Sequence, residues 1–263
     1  MTNTENELEH RKALTQEQID FFAANGYLKF GKIFDDDEIE VLRVEYDRMF
    51  AEARQSGRFR NLAIDNTEDL EEKNTAQEQM LQIMQMCERS LDFRRLIFNE
   101  RILDIAEDLI GPNIQLFHDQ ALYKPANTGG AIFWHQDNSY WKCTPARLVS
   151  CWLTLDDVTR ENGAMQFIPG SHLSPVWHDQ AEQSNALLDS SDQIDKSEAV
   201  VIDLPAGGIT FHHCQTLHYT QPNETDRQRR AFAIHFMPPG TKSMQTGEYF
   251  QVSFGRPMLR MKV

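Results

Sequence analysis

Apolar residues recur at helical spacing up to about residue 110 and at strand spacing beyond it. Thr15-Gln-Glu-Gln18 has the form of a capping box and predicts a short helix, which Asn25-Gly26 stops. Tyr27-Leu-Lys-Phe30 reads as a strand. Asp35-Asp-Asp-Glu38 predicts the start of a longer helix, with Ile39, Leu42, Val44, Tyr46, Met49 and Phe50 as a broad apolar stripe. Carboxylates in a first turn suit the helix dipole, so this acidic run reads as a cap and not as a metal site. Residues 55–76 are polar and predict a loop. Gln77–Met86, Leu91–Phe98 and Ile102–Ile110 predict helices, the last ended by Gly111-Pro112. Met80, Met84 and Met86 read as core filler.

From Ile114 onward the predicted elements are strands: Ile114–Tyr123, Ala131–Asp137, Leu148–Leu155, Met165–Ile168, Val200–Leu204, Ile209–His213, Leu217–Thr220 and Arg229–Met237. Short strands punctuated by Gly and Pro point to an all-β sandwich or barrel after a helical start. No internal repeat or long linker interrupts the chain. We therefore expect a single domain over residues 1–263, helical over about 15–110 and β over about 111–240. Leu173–Glu198 is a polar, mostly acidic insertion whose length suits a lid.

Candidate chemistry lies on these strands. In Ala131-Ile-Phe-Trp-His-Gln-Asp137, alternation sends His135 and Asp137 to one side. One imidazole and one carboxylate joined by a second imidazole make the facial triad of non-haem iron oxygenases, which leaves three octahedral positions open. His212, His213 and His218 are the candidates for that second imidazole. The turn-rich stretch Gln221–Asp226 reads as a hairpin loop leading into Arg229–Met237. On that strand Arg229, Ala231, Ala233 and His235 share one face, and Arg230, Phe232, Ile234 and Phe236 share the other. The first face combines a cation with small side chains and leaves room for a bound acid, which a guanidinium grips bidentately.

Bland readings fit other polar residues. His172 reads as a turn residue bonded to backbone, His118 and His235 as hydrogen-bonded core histidines, and Asp156-Asp157 as a strand-end turn. Asn138, Tyr140 and Trp141 are placed to line a substrate mouth, and Lys124 or Gln120 to meet an acidic substrate group.

Composition narrows the partners. The chain has 263 residues, 40% of them hydrophobic, and a formal net charge of −14. That charge argues against nucleic acid and anionic membrane, and it disfavours a highly anionic acyl-CoA. Cys87, Cys143, Cys151 and Cys214 form no Cys-x-x-Cys pair and read as reduced thiols. With no apolar signal core, no membrane span and no Ser-Lys-Leu ending, the expected compartment is the cytoplasm.

The motifs Gly111-Pro-Asn-Ile, Tyr123-Lys-Pro, Trp134-His-Gln-Asp137, Cys151-Trp152, Asn162-Gly163, Pro169-Gly-Ser-His172 and Leu217-His218…Asn223…Arg229 together resemble the phytanoyl-CoA dioxygenase (PhyH) family. The resemblance runs from about Gly111 to Phe236. It implies a double-stranded β-helix, a cupin-like jelly roll, using Fe(II), 2-oxoglutarate and O2. It selects His218 as the third ligand, eleven residues before the cosubstrate arginine, Arg229. It also implies a cosubstrate hydroxyl at Thr220, an indole at Trp152 and a further cosubstrate neighbour at Gln120. The implied reaction oxidises an unactivated C–H bond of a small metabolite and releases succinate and CO2. Because Asp137 is retained, no coordination position is left for halide, so hydroxylation or another oxidation beginning with hydrogen abstraction is expected, and not chlorination. The competing readings are an inactive cupin-like binder, an acyl-CoA hydroxylase of the same family, and a hydrolase on a histidine-rich metal site. The last leaves Arg229 without a job.

Overall fold

The computed structural model describes residues 12–62, 77–176 and 194–262. Helix α1 (Gln16–Asn25) opens on the Thr15–Gln18 capping box and ends at Gly26, whose φ of 77° is the left-handed region that glycine favours. Strand β1 (Tyr27–Lys32) follows, then α2 (Asp36–Ser56), capped reciprocally by Asp35 and Glu38. Ile39, Leu42, Tyr46, Met49 and Phe50 of α2 are buried as expected, but Val44 is exposed. It lies outside the stripe because it is neither three nor four residues from Tyr46.

Strands β2 (Arg60–Asn61) and β3 (Leu81–Met84) come next, so the helix expected over Gln77–Met86 is corrected to a strand. Leu81 and Ile83 point into the core while Met80, Gln82 and Met84 line a cavity. Both faces are covered, so the segment reads as a nearly unbroken run of good helix formers and hides its alternation. Helices α3 (Leu91–Ile97) and α4 (Glu100–Ile110) agree with expectation.

All eight predicted core strands form: β4 (Ile114–Lys124), β5 (Ile132–His135), β7 (Val149–Thr154), β8 (Met165–Phe167), β9 (Val200–Ile202), β10 (Gly208–His213), β11 (His218–Thr220) and β12 (Arg229–Met237). Among them lie the short helix α5 (Asp137–Trp141) and β6 (Cys143–Thr144), with β13 (Lys242–Ser243) and β14 (Met258–Arg260) at the end. Strand β5 stops at His135, short of the predicted Asp137, because the chain turns into α5. Gln136 stays extended (φ −114°, ψ 126°), which preserves the expected convergence of its two neighbours. Most of the expected lid, 177–193, lies outside the described residues, as does 63–76 of the predicted loop.

The antiparallel strands form a major sheet in the order β1-β10-β7-β12-β4-β3-β2, with β14 on β4, and a minor sheet in the order β5-β11-β8-β9. The two make a jelly roll. Helices α2, α3 and α4 cover the outer face of the major sheet, where Tyr46, Phe50, Phe93 and Ile102 meet Leu153, Phe211, Phe232, Ile234 and Phe236. Each such side chain is worth about 1.5–3 kcal/mol of burial. A second apolar group between the sheets, including Trp152, Met165, Phe167, Ala231 and Ala233, closes one end of the interior. The remaining space is a cavity. Among the described residues no helix is long and apolar enough to cross a membrane. All four cysteines are free and buried.

Candidate active site

His135 and His218 are direct cross-strand partners in the minor sheet, with ring centroids 4.0 Å apart. Each holds its Nδ1 against the carbonyl two residues earlier, His135 on Phe133 at 2.7 Å and His218 on Thr216 at 2.9 Å. A backbone acceptor there puts the proton on Nδ1 and leaves Nε2 as the free donor. Both Nε2 atoms lie 3.6 Å from Asp137 Oδ1. One ligand atom from each of the three residues falls within 4.8 Å of the others. Burial, reinforced by His135, holds His218 well below the ordinary imidazole range, so it stays neutral and able to ligate.

The three donors open onto a cavity of about 360 Å³. Gln120, Trp152, Thr220 and Arg229, the residues expected around the cosubstrate, line the same cavity. Arg229 is 1% exposed. One guanidinium nitrogen donates to the Leu122 carbonyl at 3.2 Å, and the group sits 5.7 Å from the Trp152 ring centre. Among the described residues its Nε has no hydrogen-bond partner, and neither has the buried hydroxyl of Thr220. Burial lowers Arg229 to about 10, which still leaves it charged. A buried guanidinium N–H and a buried hydroxyl left unpaired are costly unless an acceptor joins them. They fit the distal carboxylate of a 2-oxo dicarboxylic acid, and the imidazole–carboxylate–imidazole set fits Fe(II).

The parity of β12 holds. Arg229, Ala233 and His235 face the cavity, whereas Arg230 bonds Asp156 and Asp47 on the far side. Asp156 and Asp157 serve structure, the latter accepting from the Ala206 amide. His172 meets the Ala23 carbonyl at 3.1 Å, as its turn reading implied. Tyr140 and Trp141 line the cavity, while Asn138 turns back to Cys143. Lys124 is fully buried and donates to the carbonyls of Thr220 and Gln221, away from any substrate group.

Sequence reasoning assigned nothing to Ser150 or Gln82, and it weighed His212 only as a metal ligand. His212 Nε2 and Ser150 Oγ each lie 3.3 Å from Asp137 Oδ2, opposite the oxygen that faces the other imidazoles. Ser150 shares the cavity face of β7 with Trp152, and that parity was the available signal. Gln82 was hidden by the misassigned helix.

A metal with open positions beside a buried anion-binding group is a means of activating O2 with an acidic cosubstrate, and it places the molecule in the class of non-haem iron oxygenases. Residues 22–231 match the family model described as phytanoyl-CoA dioxygenase (PhyH), and the chain belongs to that family. It is, by class, a 2-oxoglutarate-dependent non-haem iron dioxygenase. Human peroxisomal phytanoyl-CoA dioxygenase is 26% identical over 235 residues, which cover 85% of this chain and 68% of that protein. A probable alpha-ketoglutarate-dependent hypophosphite dioxygenase of Stutzerimonas stutzeri is 26% identical over 218 residues, 80% of this chain and 74% of that one. The alpha-ketoglutarate-dependent carbocyclase SnoK of nogalamycin biosynthesis shares the fold, with a TM-score of 0.75 at 21% identity over 98% of both chains.

Proposed function

We propose that the chain oxidises a C–H bond of a small organic metabolite, with His135, Asp137 and His218 as the iron ligands. Arg229 and Thr220 take the distal carboxylate of 2-oxoglutarate, Trp152 walls that subsite, and Gln120 lies beside it. The observation that carries the reading is Arg229, buried and with its Nε unpaired in the same cavity as three metal-competent donors. Iron and cosubstrate, when bound, supply O2 activation coupled to release of succinate and CO2. The protein's own part is to orient: His135 and His218 present Nε2, Arg229 fixes the acid end-on, and Tyr140 and Trp141 crowd water from the opening. Because Asp137 supplies the third ligand, no halide position is left, and the product gains oxygen and not chlorine. A small metabolite suits the chain's charge of −14 better than an acyl-CoA does. The chain acts as one catalytic unit, and buried, free thiols suit the cytoplasm.

The test is a mass-spectrometric screen of candidate metabolites with Fe(II), 2-oxoglutarate and O2 in high chloride. A product heavier by one oxygen, with succinate formed in step, supports the reading. A chlorinated product sinks the reaction outcome, and no succinate under any condition sinks the cosubstrate.

A further inference from the structure

Behind the metal-competent donors, a polar row crosses the major sheet. His118, His235, Ser150 and His212 are successive cross-strand partners on β4, β12, β7 and β10. Buried polar side chains aligned at one register need partners. Its hydrogen bonds can be followed atom by atom. Arg60 Nη1 donates to Gln82 Oε1 at 3.3 Å, and the Gln82 amide donates to Gln120 Oε1. Gln120 Nε2 lies 3.0 Å from His235 Nε2, His235 Nδ1 lies 2.7 Å from Ser150 Oγ, and Ser150 Oγ lies 3.3 Å from Asp137 Oδ2.

The donors in this chain have one self-consistent order. Gln120 must offer its NH2 to His235 Nε2, because its carbonyl already accepts from Gln82. His235 Nε2 is then the acceptor, and the ring carries its proton on Nδ1. That proton goes to Ser150 Oγ, so the single hydroxyl proton of Ser150 is free to point at Asp137. Every donor is directed toward the carboxylate, and aligned bonds of this kind reinforce one another. His212 Nε2 reaches the same oxygen from the neighbouring strand. Its own ring is not among the three residues whose donor atoms cluster within 4.8 Å, so it flanks the site without joining the donor set.

We propose that Ser150, set by the Gln82–Gln120–His235 chain, and His212 are positioning residues that hold Asp137 Oδ2 off the metal, so that Oδ1 alone ligates and a coordination position stays open. This rests on the reading of His135, Asp137 and His218 as the ligands. Without the two donors Oδ1 is no longer held toward the two imidazoles, which weakens the donor set, and Oδ2 is free to swing toward the position that cosubstrate or O2 needs.

The experiment titrates the metal-free protein with Co(II) alone and records affinity and the visible d–d spectrum, then measures 2-oxoglutarate affinity on the Co(II) form. Ser150→Ala is expected to weaken Co(II) binding about tenfold, the scale typical of lost support behind a ligand, and to change the d–d bands. Ser150→Thr, which keeps the hydroxyl, restores both. His212→Phe repeats the loss and His212→Gln, which keeps an N–H near the Nε2 position, repairs part of it, so the expectation stands even if Ser150→Ala fails to fold. Wild-type Co(II) affinity and spectrum in both Ser150→Ala and His212→Phe overturn the proposal while leaving the ligands intact. If the wild-type protein binds no Co(II), or His218→Ala binds it equally well, the ligand reading falls and the proposal with it.

Discussion

The two sheets fix their functional side chains by different means. In the minor sheet the strands are short, and the imidazoles of His135 and His218 are steered by their own backbone, each on the carbonyl two residues back. In the major sheet the strands run up to β4, Ile114–Lys124, and orientation comes from across the sheet. Ser150 is set by His235 and His235 by Gln120, while Arg229 is held by burial and the Leu122 carbonyl. Local steering makes a ligand's geometry nearly independent of its surroundings. Cross-strand steering makes it depend on register, so one slipped residue would turn the whole set away from the cavity.

The largest expected effect tests the minor sheet. His218→Ala should abolish Co(II) or Fe(II) binding in a calorimetric titration, whereas His212→Ala, on the major sheet, should weaken it only about tenfold. The reverse order would break the assignment of ligands to the smaller sheet.

Next come two adjacent residues on opposite faces of one major-sheet strand. Arg229→Ala should raise the KM for 2-oxoglutarate by two to four orders of magnitude, from the about 3–5 kcal/mol that losing a buried charged partner costs. Arg230→Ala should leave that KM within about twofold and instead lose about 1–2 kcal/mol of stability, because its partners are Asp156 and Asp47. Equal KM effects from the two variants would show that the register of β12 is wrong.

The same logic applies to β3. Leu81→Ala should cost about 2–5 kcal/mol in urea unfolding with little change in turnover per folded molecule. Gln82→Ala should cost less stability and shift turnover, because its side chain faces the cavity and Gln120. A pair of variants with indistinguishable profiles would count against the alternation of that strand.

These contrasts explain what was legible in the chain. The His-x-Asp pair, the parity of β12 and all eight core strands follow from alternation within single segments, which a sequence displays. Arg229 and Arg230 could be told apart because small residues line one face and large apolar residues the other. β3 was not legible because helices cover one face and the cavity the other, so neither face shows solvent-polar residues. The turn into α5 at Asp137 was hidden because it depends on a distant partner, the bond from the Asn138 amide to the Cys214 carbonyl at 2.9 Å. Ser150 and His212 escaped for the same reason: their role exists only once β7 and β10 are in register. Lys124 sat in a recognisable motif, yet its task of binding the carbonyls at the end of β11 required the fold.

The smallest expected effect concerns a histidine at the end of a major-sheet strand, outside the polar row. His213 closes β10, its Nδ1 accepts the Gln215 amide at 3.2 Å, and its ring packs 5.4 Å from that of His172. Burial, with His172 adding to it, pushes its pKa down from 6.5 to about 4. Between those values the unfolded chain binds a proton that the folded protein refuses, so stability rises with pH across that window. The contribution of neutral His213 is complete above pH 6.5 and drains away as pH falls toward 4. By pH 5 the loss is about 1–2 kcal/mol. Other buried imidazoles act in the same direction, so the wild-type curve alone would not isolate this one. Comparing urea unfolding of the metal-free wild type with that of His213→Gln, which does not titrate, removes the common part. The wild type should lose more stability than the variant between pH 7 and pH 5, and the two should run parallel above pH 7. A gap that stays constant from pH 7 to pH 5 would mean that His213 titrates normally, and that the end of β10 is more open to water than its packing against His172 indicates.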